Sequence, residues 1–186
     1  MHSGEFVTVE VVGIMGIQEM DQRACSAKYS AHDIALWFLN WADTEDEPDN
    51  NDARQPVSNL KLQKLLYYAQ GIHLAMYKTP LFSDEIEAWA HGPVVPSVYR
   101  SYKYPDSDTV HDPIVCDTDY DWNSVDKPDA EFLAGIWNEY GQYSAWKLRN
   151  MTHAEAPWKT VYDPSKQHIE ITKDSMQTYF EGIQNR

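Results

Sequence analysis

His91, His153 and Glu155 are the residues of this chain best suited to do chemistry. An imidazole titrates near neutral pH and can serve as acid, base or metal ligand, and a nearby carboxylate can orient it or exchange its proton. The spacing narrows that range. His153-Ala154-Glu155 lacks the second His at i, i+4 of a helical zinc motif, and Cys25 and Cys116 offer no CxxC pair to complete a tetrahedral site. Ser58 and Ser144 stand outside any Gly-x-Ser-x-Gly elbow, and each precedes an apolar-periodic run, so both read as helix caps. Gly13-Ile14-Met15-Gly16 lacks the Lys-Ser/Thr ending of a phosphate loop. An enzyme of hydrolase or metal-dependent type using His91, His153 and Glu155 is the alternative to a chain with no reaction centre. In the latter, His91 bonds a backbone group at the Gly92-Pro93 turn, and His153 does the same before Pro157. We assign no catalytic residue, metal or cofactor, and expect a protein that is not an enzyme.

The elements that position these residues are mostly helical. Ile34, Trp37, Phe38 and Trp41 recur at helical spacing over 32–42. Ser58 caps a second helix reaching about Lys78, with Leu62, Leu65, Leu66, Ala69 and Ile72 on one face. Gly71 inside it costs about 1 kcal/mol relative to Ala, which points to close approach of another group. Residues 80–82 and 86–90 read as a short hairpin, or a pair of extended segments, separated by Ser83-Asp84-Glu85. Trp89 and Gly92-Pro93-Val94-Val95-Pro96 then form a rigid turn, and Pro96 opens a third helix whose Val95, Val98, Tyr99 and Tyr102 face inward. A fourth helix over 129–140 carries Phe132, Leu133, Ile136, Trp137 and Tyr140, with Gly141 as its stop. Ser144 starts a fifth, with Ala145, Leu148 and Met151 inward. Pro157 begins a short one, residues 169–171 form a strand, and Thr172 caps a terminal helix bearing Met176, Tyr179, Phe180 and Ile183. The fold class is mainly α, a compact bundle of about five to seven helices with a small β-hairpin or short strands.

At 186 residues the chain suits one domain, expected over 29–183. Residues 1–28 read as an N-terminal extension, disordered or preceding the true start, since Met15 or Met20 can also begin the protein. Two acidic loops interrupt the domain, 43–56 and 104–128. The first has six acids between Asp43 and Asp52 but no calcium-loop spelling. In the second, Ile114, Val115 and Trp122 are the residues able to tack it down. The net charge is −14, so polyanion binding is not expected and a basic protein partner fits better. A helix-turn-helix over 129–152 would have only Lys147 and Arg149 to meet DNA, which leaves a DNA-binding autoregulator as an alternative and nucleic acid as an unexpected partner. Two Cys residues and no membrane-length apolar run imply a cytoplasmic protein.

Several motifs stand in a fixed order: residues 59–71 (Asn59-Leu60-Lys61-Leu62-Gln63-Lys64-Leu65-Leu66-Tyr67-Tyr68-Ala69-Gln70-Gly71), Pro80-Leu81-Phe82, Glu87-Ala88-Trp89, Gly92-Pro93-Val94-Val95-Pro96 with Val98-Tyr99, and Thr152-His153-Ala154-Glu155-Ala156-Pro157-Trp158. From about Tyr29 to Phe180 the chain resembles the SocA-like Panacea-domain antitoxin family. It departs from that family in its N-terminal extension and in its two acidic loops. The resemblance implies a mostly helical domain that neutralises a small toxin encoded next to it, often in phage or mobile elements. One branch of the family resembles a proteolytic adaptor that delivers its toxin to an ATP-dependent protease. On this reading the partner is a cognate toxin protein, and the surface around Lys64, Tyr68, Trp89, His91, Tyr99, His153 and Trp158 is where it binds. Lys64 lies beside the apolar stripe, where its ammonium is expected to meet an acid of this chain or of a partner.

Overall fold

The structure is a computed structural model that describes residues 27–45, 57–105, 108–115 and 119–184. Among them are seven helices and one two-stranded sheet: α1 (Ala31–Glu45), α2 (Asn59–Tyr77), β1 (Glu87–Trp89), β2 (Gly92–Val94), α3 (Pro96–Ser101), α4 (Lys127–Tyr140), α5 (Ala145–Ala154), α6 (Ala156–Lys159) and α7 (Lys173–Gln184). The fold is mainly α with a minor β component, as the sequence predicts. Most of the N-terminal extension, most of the first acidic loop and both Cys residues lie outside the described residues. No helix of the described residues is long and apolar enough to cross a membrane.

Helix α2 is the axis of the molecule. Ser58 caps it, accepting from the Lys61 N–H, and Lys78 ends it in the left-handed region at φ 63°. The spacing of its leucines predicts an amphipathic helix with one buried stripe. Instead it is buried on every side from Asn59 to Gly71, because α1, α3, α4, α5, α7 and β2 all pack around it. Its polar residues are therefore internal, and each ties down a different piece of backbone. Lys61 Nζ donates to Gly141 O at 2.8 Å. Gln63 Oε1 accepts from Val95 N at 2.8 Å, while its amide nitrogen donates to Asn59 Oδ1 and Asn59 in turn donates to Tyr99 O. Gln70 accepts from Leu81 N and Phe82 N and donates to Phe82 O. A buried backbone group without a partner is expensive, so these side chains hold the loops through groups that every loop must satisfy. Gln70→Leu removes the partner of two N–H groups and one carbonyl together. Urea denaturation should show a loss of about 2–4 kcal/mol.

Gly71 meets the close approach expected of it. A Cβ there would lie 2.1 Å from the Phe180 ring of α7, so this glycine lets the terminal helix seat against the axis. Gly141 ends α4 for a different reason from the one expected. Its φ of −63° is ordinary helical backbone, but a Cβ would lie 2.6 Å from Trp137 O, and its carbonyl is the acceptor for Lys61.

The hairpin is also displaced from its predicted position. β1 pairs antiparallel with β2, with Trp89 opposite Gly92 and Glu87 opposite Val94. Pro93 had concealed the second strand, since proline is rare in strands except where its missing N–H is not needed. Phe82 instead bridges in parallel to Tyr29, and Glu170 bridges Glu87 on the other side of β1, with Ala88 N donating to Ile169 O and Ile171 N to Ile86 O. The described part of the second acidic loop is fastened by backbone bonds from Leu60 N to Thr109 O and from Ile114 N to Val57 O. Ile114 packs on the core as expected, and Trp122 sits edge-on to Trp41 at 6.1 Å. Val115 does not hold it, being 84% exposed.

Candidate partner-binding surface

Gly92 sets the geometry of the region. Its φ of +98° turns the chain between β1 and β2, and its bare Cα lets Lys64 and Thr152 close in from α2 and α5. Lys64 is fully buried, and Nζ donates to Pro93 O at 2.7 Å. Among the described residues no acid of this chain pairs with the amine. Burial, and secondarily the Arg149 charge, holds its pKa well below the usual lysine value, which favours a neutral amine serving as a hydrogen-bond donor. Thr152 Oγ1 is committed to Arg149 O on its own helix. The hairpin is thus clamped from beneath by two elements it does not adjoin in sequence.

A run of rings extends this clamp toward the surface. Trp158 Nε1 donates to Trp89 O at 3.0 Å and so joins α6 to β1. His153 stacks on Trp158 with centroids 3.8 Å apart, and Tyr162 stacks on Trp158 at 4.5 Å. Trp89 meets Tyr99 of α3 edge to face at 5.0 Å, and its indole N–H donates to Glu87 Oε2. His168 Nδ1 faces the other Glu87 oxygen at 3.1 Å. Between β1 and residues 162–168 a groove of about 380 Å³ opens, walled by Trp89, Tyr162, Lys166 and His168.

The seven residues singled out from sequence divide by depth. Lys64, Tyr68 and Trp158 are buried and act as supports, whereas Trp89, Tyr99 and His153 are half-buried and His91 is exposed. Six of them converge on the hairpin. Tyr68 stands apart, donating to Glu155 Oε1 at 2.9 Å and stacking on Tyr140 at 4.0 Å.

His91, His153 and Glu155 occupy three different environments. Among the described residues the His91 ring bonds no backbone group, and it faces the Trp146 ring edge-on at 5.9 Å. His153 is held neutral: burial first, then the Arg149 charge, lower its pKa to about 4. Burial raises the Glu155 carboxyl to about 7, with the hydrogen bond from Tyr68 acting the other way. Among the described residues no group of three or more His, Cys, Asp or Glu side chains comes together in a way that could hold a metal.

Sequence reasoning did not place Trp146, Arg149 and Thr152 here. Trp146, Arg149 and His153 fall at i, i+3 and i+7 on α5, a spacing that puts them on one face and could have been read as a surface stripe. Arg149 Cζ lies over the Trp146 ring at 5.5 Å.

Residues 62–159 match the family described as Antitoxin SocA-like, Panacea domain. The chain belongs to that family. The matched stretch begins within α2 and ends with α6, so the Panacea domain contains the hairpin, its clamp and the whole of α5. Antitoxin SocA of Caulobacter vibrioides (strain NA1000 / CB15N) is 53% identical over 47 residues, a match that covers 25% of this chain and 25% of that protein. The chain therefore spans about a quarter of that relative's length. No solved structure matches the chain.

Proposed function

We propose that this chain is an antitoxin that neutralises a cognate toxin, encoded next to it, by direct stoichiometric binding. The observation that carries the reading is the position of the family match: the Panacea domain coincides with the segment that builds the clamped hairpin and the outward face of α5. The partner contacts fall to the outer residues Trp89, His91, Tyr99 and His153. Lys64 and Trp158 keep the hairpin in place beneath them, and Tyr68 holds the adjoining α5–α6 corner through Glu155. Rigid aromatic residues suit this work because they cover much area while losing little conformational entropy. Binding of this kind needs no nucleophile, and the toxin would meet the chain in the cytoplasm.

Co-expression from separate promoters with the adjacent reading frame tests this. The neighbour alone should arrest growth, and this chain should restore it. A harmless neighbour, or arrest that persists with both proteins present, would refute the reading. Toxin abundance in the same cultures separates two modes of action: a constant level fits simple covering, and a level that falls only when an ATP-dependent protease is present fits delivery for degradation.

A further inference from the structure

The chain carries 29 acidic residues, yet residues 88–105 contain none and residues 140–154 contain none. These two acid-free stretches pack against each other where β2 meets α5, and His91 of the hairpin turn faces Trp146 of α5. The surface they share holds His91, Arg149 and His153, with Lys147 on the same helix. Among the described residues Arg149 is in no ion pair. Its described side-chain partners are Asn150 Oδ1 at 3.0 Å and the Trp146 ring, and Nε is buried without a hydrogen-bond partner, as is Nε2 of His153. Trp146 is 43% exposed beside them. A protein of net charge −14 thus keeps, among its described residues, one aromatic face on which the Arg149 guanidinium meets no carboxylate.

We propose that this face binds a carboxylate on an acidic segment of the partner protein, seated on the Arg149 guanidinium with His91 and His153 at its flanks and Trp146 covering the adjoining chain. The proposal rests on the antitoxin reading and specifies the chemistry of the toxin surface that is held. A guanidinium offers paired N–H donors in the plane that a carboxylate accepts, and charge-assisted bonds of this kind are among the strong ones. The complementarity is local and opposite in sign to the net charge. The toxin should therefore meet this face with acidic residues even if the rest of its surface is basic.

The test titrates the full ¹⁵N-labelled chain with an acetylated hexaglutamate peptide and follows the Trp146 indole N–H and the Arg149 side chain by NMR. Saturable shifts at Trp146, Arg149 and His91, with none at the distant exposed Trp122, are the expected result. Arg149→Gln should weaken the peptide about tenfold, as expected for loss of one charge-assisted pair. Trp146→Ala, at a half-exposed ring, should weaken it as well. Lys127→Gln, at an 89% exposed side chain on α4, should not. The absence of saturable shifts, equal weakening by Lys127→Gln, or a hexalysine peptide shifting the same residues would overturn the proposal. Tighter binding of inorganic phosphate or of a thymidine hexanucleotide at these residues would also overturn it, assigning the face to phosphate instead. The titration uses no toxin, so peptide binding beside a harmless neighbour would retain the carboxylate site and remove only the antitoxin reading.

Discussion

Replacing Gly92 with alanine is expected to lower stability by about 2–6 kcal/mol, combining about 1–3 for a positive φ at a residue with a Cβ and about 1–3 for overpacking. The added Cβ would lie 2.8 Å from Thr152 Oγ1 and 3.0 Å from both Cε and Nζ of Lys64. Neither neighbour can move freely. Lys64 is fully enclosed and bonded to Pro93 O, and Thr152 is buried and bonded to Arg149 O. The change should therefore open the hairpin away from α2 and α5. Thermal unfolding should show a midpoint lower by roughly 4–24 °C, at roughly 2–4 °C per kcal/mol for a chain of this size. The Trp89 and Trp158 fluorescence should change with it, since the bond from Trp158 Nε1 to Trp89 O depends on the same placement. A variant with unaltered midpoint would mean that the clamp is not as tight as the geometry describes.

Glu155→Gln is expected to remove a pH dependence that the native chain carries. Glu155 is 8% exposed, and burial raises its carboxyl from 4.5 to about 7. The protonated acid is the form the fold favours. Its contribution is complete below about pH 4.5 and is lost as pH rises through 7, which amounts to about 3 kcal/mol by linkage. His153 works in the opposite sense. Its folded value of about 4 lies below 6.5, so its contribution is complete above pH 6.5 and is lost as pH falls toward 4. The two effects oppose each other in the native chain, and a single stability profile would conceal both. Glu155→Gln compared with the native chain at each pH isolates the carboxyl, because His153 is common to the two. The amide should become relatively more stable by about 3 kcal/mol between pH 5 and pH 8 in urea titrations. A difference that stays constant with pH would show that Glu155 is ionised throughout, contrary to its enclosure.

The helices with one buried face were legible because period alone reports them. Trp37 and Phe38 of α1, Leu133, Ile136 and Trp137 of α4, and Met176 and Phe180 of α7 are all buried where their spacing places them. Caps were legible too: Ser58, Ser144 and Thr172 each accept the N–H expected of a capping hydroxyl. What stayed hidden was the burial of polar residues. Lys61, Gln63, Lys64 and Gln70 fall outside the leucine stripe of α2, yet each is enclosed, because its partner is a backbone group of a loop distant in sequence. No sequence pattern records such a partner. The hairpin was missed through Pro93, which reads as a strand breaker but sits where β2 has no need of its N–H.

The surface residues show the same division. Trp89, His91, Tyr99 and His153 belong to the partner surface that the family resemblance implies, and the structure brings all four to the region around the hairpin. Lys64 and Trp158 were drawn by the same reasoning, but they lie beneath the surface and fix its shape. Arg149 reads in the sequence only as a thin DNA contact, because one arginine on a short helix carries no further signal by itself. Its setting becomes visible only when residues 88–105 and 140–154 are seen to lie side by side without a carboxylate.

The central claim is that the chain works by holding another protein. Isothermal titration of the purified chain into the purified product of the adjacent reading frame tests it most directly, with toxin activity assayed at every step. A saturable heat at a fixed whole-number ratio, with activity extinguished at that same ratio, is the predicted result. Activity lost at amounts far below the binding ratio would mean turnover and contradict the claim, and so would the absence of any binding heat while the product remains toxic.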